Sequence, residues 1–155
     1  VKKIIYISLL LALLCGCESP LANTAVSQDE KITSFIESRY SENPVIFNNG
    51  VNRIVLEEGD STCFAAKGDL VDFTYMAYQF NGSIPSSPYA RGDMAVTLGD
   101  GEMLEGLEYG MEGMCPGEKA YIVFSCKYGY KQSVAGVGSD QALLFEVFMN
   151  EIKQQ

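Results

Sequence analysis

The stretch Met94-Ala95-Val96-Thr97-Leu98-Gly99-Asp100-Gly101-Glu102-Met103-Leu104-Glu105-Gly106-Leu107-Glu108-Tyr109-Gly110-Met111 changes its hydrophobic period part-way along, and that change decides the fold class. Met94, Val96 and Leu98 alternate with Ala95 and Thr97, the period of a strand with one buried face. Beyond Gly99-Asp100-Gly101 the apolar residues fall at Met103, Leu104, Leu107 and Met111, which is the spacing of one helix face. A strand thus runs through a glycine turn into a short helix. Glu102, Glu105, Glu108 and Glu112 form the solvated side of that helix, not a catalytic pair. The glycines do not make a dinucleotide fingerprint, because the third glycine of G-x-G-x-x-G would fall at Leu104.

The same periods extend outward. Upstream, Val71, Phe73 and Tyr75 alternate with Asp72 and Thr74, and Asn81-Gly82 supplies a turn. Downstream, Lys119 to Ser125 reads as a more continuously apolar strand, and Leu143, Phe145, Val147 and Met149 as another alternating one. Ahead of the sheet, Ser27 and Glu30 have the spacing of a capping box, with Ile32, Phe35, Ile36 and Tyr40 at helical intervals. These predict an amphipathic helix from Gln28 to Tyr40, in a helical segment 28–43 closed by Pro44. The expected domain, residues 44–155, is α+β: an antiparallel sheet with one short helix packed on it, preceded by an N-terminal amphipathic helix.

The first residues have a different character. Lys2 and Lys3 precede an apolar run from Ile4 to Leu14 broken only by Ser8, the outline of an export signal. A spanning helix needs about 20 apolar residues, and this run is shorter. Leu14-Cys15-Gly16-Cys17 resembles a lipobox, so residues 1–16 are expected to be a lipoprotein signal peptide, Cys17 the lipidated N-terminus and residues 17–27 a flexible tether. The competing reading is a plain secretory signal cut near Gly16 or Ala22. The expected product is an exported lipoprotein on a bacterial membrane, facing the periplasm or in the outer membrane.

Composition narrows the chemistry. The net charge is −9, and removal of Lys2 and Lys3 with the signal leaves 9 basic against 20 acidic residues, a net −11, which excludes nucleic acid as a partner. The sequence has no histidine, which removes the usual general base and the commonest metal ligand, so no metal site is expected. One core fits 155 residues, and a monomer is expected.

Several segments carry a resemblance in their order. Gly68 to Tyr75, Asn81-Gly82 and Ser86-Ser87, Val96 to Gly99, Met103 to Met111, Met114 to Ala120, Lys127 to Tyr130 and Leu143 to Val147 together resemble the FKBP-type peptidyl-prolyl cis-trans isomerases over roughly residues 54 to 152. The resemblance implies a half-barrel sheet wrapped around the short helix and an apolar pocket between them that receives a proline ring of a polypeptide substrate, with no cofactor. It implies a pocket lined by Phe73, Met94, Met103, Leu104, Leu107, Tyr130 and Phe145. The catalytic donors would be the Leu104 backbone N–H and the Tyr130 hydroxyl.

The sequence departs from the family pattern at named places. Phe73 stands where the family has tyrosine, Leu107 where it has a floor tryptophan, Met94 where it has phenylalanine, and Ile84-Pro85 where it has a phenylalanine-aspartate pair. Weakened isomerase activity toward exported proteins is therefore the leading expectation. The alternative is an FKBP-fold lipoprotein without catalysis that acts as a chaperone or binding subunit. In the implied fold Cys63 and Cys115 lie near strand ends, which leads to the expectation of a Cys63–Cys115 bridge, with Cys126 free and buried.

Overall fold

A computed structural model describes residues 20–83 and 87–155. The expected signal peptide, Cys17 and the Ile84-Pro85 departure lie outside the described residues. The elements are α1 (Pro20–Arg39), β1 (Val45–Asn48), β2 (Val51–Glu57), β3 (Leu70–Phe80), β4 (Ala90–Thr97), α2 (Glu105–Met111), β5 (Lys119–Phe124), a 3₁₀ turn (Cys126–Tyr128) and β6 (Ala142–Lys153). The strands form one antiparallel sheet in the order β1-β2-β5-β6-β3-β4. This is the α+β architecture expected from the sequence.

Strand alternation sorts the core into two layers. Along β6, Leu143, Phe145, Val147 and Met149 face the cluster that includes Leu107 and Met111 of α2, while Ala142 and Leu144 face the cluster built on Ile32 and Phe35 of α1. On β5, Ala120, Ile122 and Phe124 point to the α2 layer and Val123 to the α1 layer. Both strands are therefore covered on two faces, which is why Lys119 to Ser125 lacks a polar alternation.

Two local features fix α2. Gly106 and Gly110 face β5 so closely that an added Cβ would meet the Phe124 ring at 2.5 Å and the Ile122 side chain at 2.2 Å, so only glycine lets the helix seat there. At the other end, buried Arg53 donates from Nη1 to the carbonyls of Gly110 (3.0 Å) and Glu112 (2.6 Å) and from Nη2 to that of Gly113 (3.3 Å). These are the carbonyls a helix terminus leaves unpaired, and a cation suits that end of the helix dipole. Arg53 is balanced by buried Glu118, with Nε 3.2 Å from Oε1. Burial pulls the guanidinium pKa down, and Glu118 opposes that pull.

Four expectations are corrected. The tether reading fails for residues 20–27, because α1 begins at Pro20. Proline suits the first helical position, Leu21, Ala22 and Ala25 are good helix formers, and Ala25 is buried. The Ser27–Glu30 pair consequently sits inside the helix and caps nothing. The helix is held by Gln28, whose Nε2 donates to the Asp140 carbonyl (2.7 Å) and whose Oε1 accepts from the Cys126 N–H (2.8 Å). Second, Asn81-Gly82 is not a two-residue hairpin loop: β3 ends at Phe80 and β4 starts at Ala90, and Asn81 instead accepts from the Ser83 N–H in an Asx turn that opens the connection. Third, no Cys63–Cys115 bridge is formed; both are free, and buried Cys115 turns its thiol toward Glu118, with Sγ donating to Oε2 at 3.7 Å. Cys126 is free and buried as expected, and burial pushes its thiol pKa up. Fourth, Phe73 does not line the pocket, for the reason given below.

The β1–β2 hairpin was not anticipated. Its turn, Asn49-Gly50, has positive φ at both residues (50° and 89°), the geometry of a type I′ turn. Among the described residues no helix is long and apolar enough to cross a membrane.

Candidate active site

Between α2 and the concave side of β3, β4 and β6 lies a cavity of about 300 Å³ lined by Tyr75, Ala77, Ala90, Met94, Glu102, Met103, Leu104, Leu107, Tyr130 and Phe145. Six of the seven residues expected to line a pocket are brought together here: Met94 from β4, Met103, Leu104 and Leu107 from the start of α2, Tyr130 from the β5–β6 connection, and Phe145 from β6. Phe73 is the exception. It has 0% exposure and belongs to the core. It shares a strand face with Tyr75, but Tyr75, two residues further along β3, is the aromatic that reaches the cavity.

Phe145 is both core and wall. Its ring stacks on Phe124 at 5.9 Å between centroids, nearly parallel at 11°, and meets Tyr75 at 6.2 Å. At 3% exposure it presents only an edge to the cavity. Leu107, on the first turn of α2, is 5% exposed and closes the floor.

Beside Glu102 and the Tyr75 phenol, two residues that line this space carry the hydrogen-bond donors the resemblance implies. Leu104 is the N-cap of α2 with extended φ and ψ (−63°, 137°), and its carbonyl accepts from the N–H groups of Leu107 (2.9 Å) and Glu108 (3.1 Å). Its own N–H has no partner among the described residues, as expected at a helix start. The Tyr130 hydroxyl lies 3.3 Å from the Tyr89 hydroxyl. Burial, then the hydrogen bond to Tyr130, holds the Tyr89 phenol pKa well above the ordinary tyrosine value, so Tyr89 stays protonated and neutral at any physiological pH.

A protonated Tyr89 can donate to the Tyr130 oxygen, leaving the Tyr130 proton free for an acceptor in the cavity. The sequence pattern did not single out Tyr89, Ala77, Ala90 or Glu102 for the site. Tyr89 and Ala90 sit where a loop enters β4, and no periodicity reports which way a loop side chain turns. Among the described residues no group of histidine, cysteine or carboxylate side chains has the arrangement of a metal site. The site can exclude water from a small apolar group and offer it two hydrogen-bond donors.

Residues 62–150 match the family model for FKBP-type peptidyl-prolyl cis-trans isomerase. The chain is 32% identical over 101 residues to a peptidyl-prolyl cis-trans isomerase of Schizosaccharomyces pombe, covering 63% of this chain and 90% of that protein. It is 30% identical over 118 residues to FK506-binding protein 1 of Aspergillus oryzae, with 66% and 98% covered. Similarity to FK506-binding protein 1B of Aspergillus fumigatus is 29% over 114 residues, with 67% and 95% covered.

Proposed function

The chain belongs to the FKBP-type peptidyl-prolyl cis-trans isomerase family and is an enzyme of that class, and from this premise we propose that its α2–sheet cavity takes the proline ring of exported polypeptides. The observation that carries the reading is that Leu104, with an unpaired N–H among the described residues, and Tyr130 line one cavity with apolar Leu107 and Phe145.

Rotation about an X-Pro bond faces a barrier of about 18–20 kcal/mol because amide resonance must be broken. The planar amide is charge-separated, and an apolar surround disfavours it relative to the twisted state, whose charge separation is smaller. In the twisted state, hydrogen bonds from Leu104 and Tyr130 hold the carbonyls flanking the bond. Preferential binding of that geometry lowers the barrier with no bond made or cleaved and no group transferred. The chain therefore needs no imidazole, which it lacks.

The small, non-aromatic floor at Leu107 and the Met94 wall grip a proline ring less closely than aromatic groups would, so the turnover is modest. Anchoring through a lipidated Cys17 would hold the enzyme where exported chains emerge and fold; a multiply acylated cysteine anchors stably where one chain does not. Two measurements test this function. In a protease-free isomerisation assay the full chain accelerates a prolyl peptide above its uncatalysed rate, and no acceleration rejects the catalytic reading. Cys17→Ser moves the protein from the membrane to the soluble fraction, and unchanged fractionation rejects the anchor.

A further inference from the structure

A second depression also has Tyr130 in its lining. It has a volume of about 540 Å³, larger than the proline cavity, and runs between α1 and the β5–β6 connection. Exposed Leu21 and Val26 and buried Ala25 of α1 line it together with Asp29, buried Cys126 and Tyr130. Tyr130 is thus common to both spaces.

Three observations suggest that the groove has a use. Leu21 is 50% and Val26 57% exposed, an apolar pair that α1 leaves facing water while Ile32 and Phe35 on the same helix are buried. The groove is also preformed, because Gln28 clamps α1 to both the Cys126 N–H and the Asp140 carbonyl. The two lysines that line it already have partners: Lys131 Nζ donates to the Lys127 carbonyl at 3.1 Å, and Lys127 Nζ sits 4.9 Å from the centre of the Tyr128 ring. Asp29 and Ser139 also line the groove, but most of the surface it offers a ligand is apolar. Its α1 wall, moreover, precedes residues 62–150, the part shared with the family.

We infer that this groove is a specificity subsite for the same client polypeptide, taking a leucine-sized apolar side chain near the isomerised proline. The inference rests on the proline-cavity reading, since Tyr130 lines both spaces and a chain seated at one passes beside the other. An extended chain advances about 3.3 Å per residue, so spanning one tyrosine side chain places the apolar residue about two or three positions from the proline. Burying a leucine side chain part-way is worth about a tenfold gain in kcat/KM.

The test uses the full chain and paired prolyl peptides that carry leucine or serine at the second or third position before or after the proline. The wild type should show a leucine-to-serine kcat/KM ratio of about ten at one or more of these positions. Val26→Glu should bring that ratio close to one, while Phe47→Glu, the same kind of change at an exposed β1 residue away from the groove, should keep it. Leu21→Glu serves if Val26→Glu fails to fold by circular dichroism. A wild-type ratio near one at every position, or a ratio unmoved by a folded groove variant, overturns the inference. If the wild type turns over no peptide, the isomerase reading falls separately. Anisotropy of a labelled leucine peptide then decides the groove: weaker binding by Val26→Glu supports it and equal binding overturns it. Unchanged peptide handling by Val26→Glu together with faster proteolysis ahead of Pro20 would assign the groove to the chain's own N-terminal residues and overturn the inference as well.

Discussion

The cavity has a floor made by the sheet and α2 and a rim made by connections, and different physics holds the two. The floor side chains are packed against one another: Phe145 lies on Phe124, Leu107 closes over them, and Phe73 is wholly buried beneath. The rim depends on single polar contacts, of which the hydroxyl pair Tyr89 and Tyr130 is the clearest. Floor residues therefore matter to stability first and activity second, and rim residues the reverse.

The largest expected effect tests the floor. Phe73→Ala should cost about 3–5 kcal/mol of folding stability, as for truncation of a fully buried aromatic, read as a lowered denaturation midpoint. A loss under about 1 kcal/mol would place Phe73 outside the packed core. Tyr130→Phe should do the opposite. It removes one donor from the cavity and leaves the packing, so kcat/KM falls about tenfold while stability changes by less than about 1 kcal/mol.

Tyr89→Phe should give a smaller loss of about threefold, because the Tyr130 proton remains but is no longer oriented and polarised by a second hydroxyl. In the Tyr130→Phe background Tyr89→Phe should cost almost nothing more; additive losses would show that Tyr89 acts independently.

The smallest effect is in pH dependence. The raised Tyr89 pKa means that the folded state holds a proton the unfolded state releases near pH 10, so this stability is fully present below about pH 10 and lost as pH rises through the folded value. Tyr121 is raised in the same direction, chiefly by burial, and adds to the trend. Thermal midpoints should decline above about pH 10, and less steeply in Tyr89→Phe.

The same division explains what could be read in advance. Alternation along β3 and β6 and the helical spacing of Met103, Leu104, Leu107 and Met111 reported face and layer, and six of the seven residues that the resemblance names line one cavity. Periodicity reports which face a residue occupies, not how deep it lies, and Phe73 and Tyr75 illustrate the difference. They share a face, yet the first lies in the core and the second, two residues further along the strand, at the cavity.

The β1–β2 turn has a local signal in Asn49-Gly50, but β1 is only four residues long and carries no alternation that would mark it as a strand. The start of α1 was misplaced because small polar residues read as a spacer until Ala25 and Gln28 find partners far along the chain. Arg53 under α2 and Tyr89 beside Tyr130 are long-range contacts between single residues, and no pattern in their own segments announces them.

The central claim is that an X-Pro bond turns while its proline ring sits on Leu107 and Phe145. Nuclear magnetic resonance on the full chain with a labelled prolyl peptide tests it most directly, by reading cis–trans exchange and intermolecular contacts in one sample. The account predicts accelerated exchange, nuclear Overhauser contacts from the proline ring to the Leu107 methyls and the Phe145 ring, and a shifted Leu104 amide. Accelerated exchange with proline contacts elsewhere, or proline seated there with exchange at the uncatalysed rate, would contradict it.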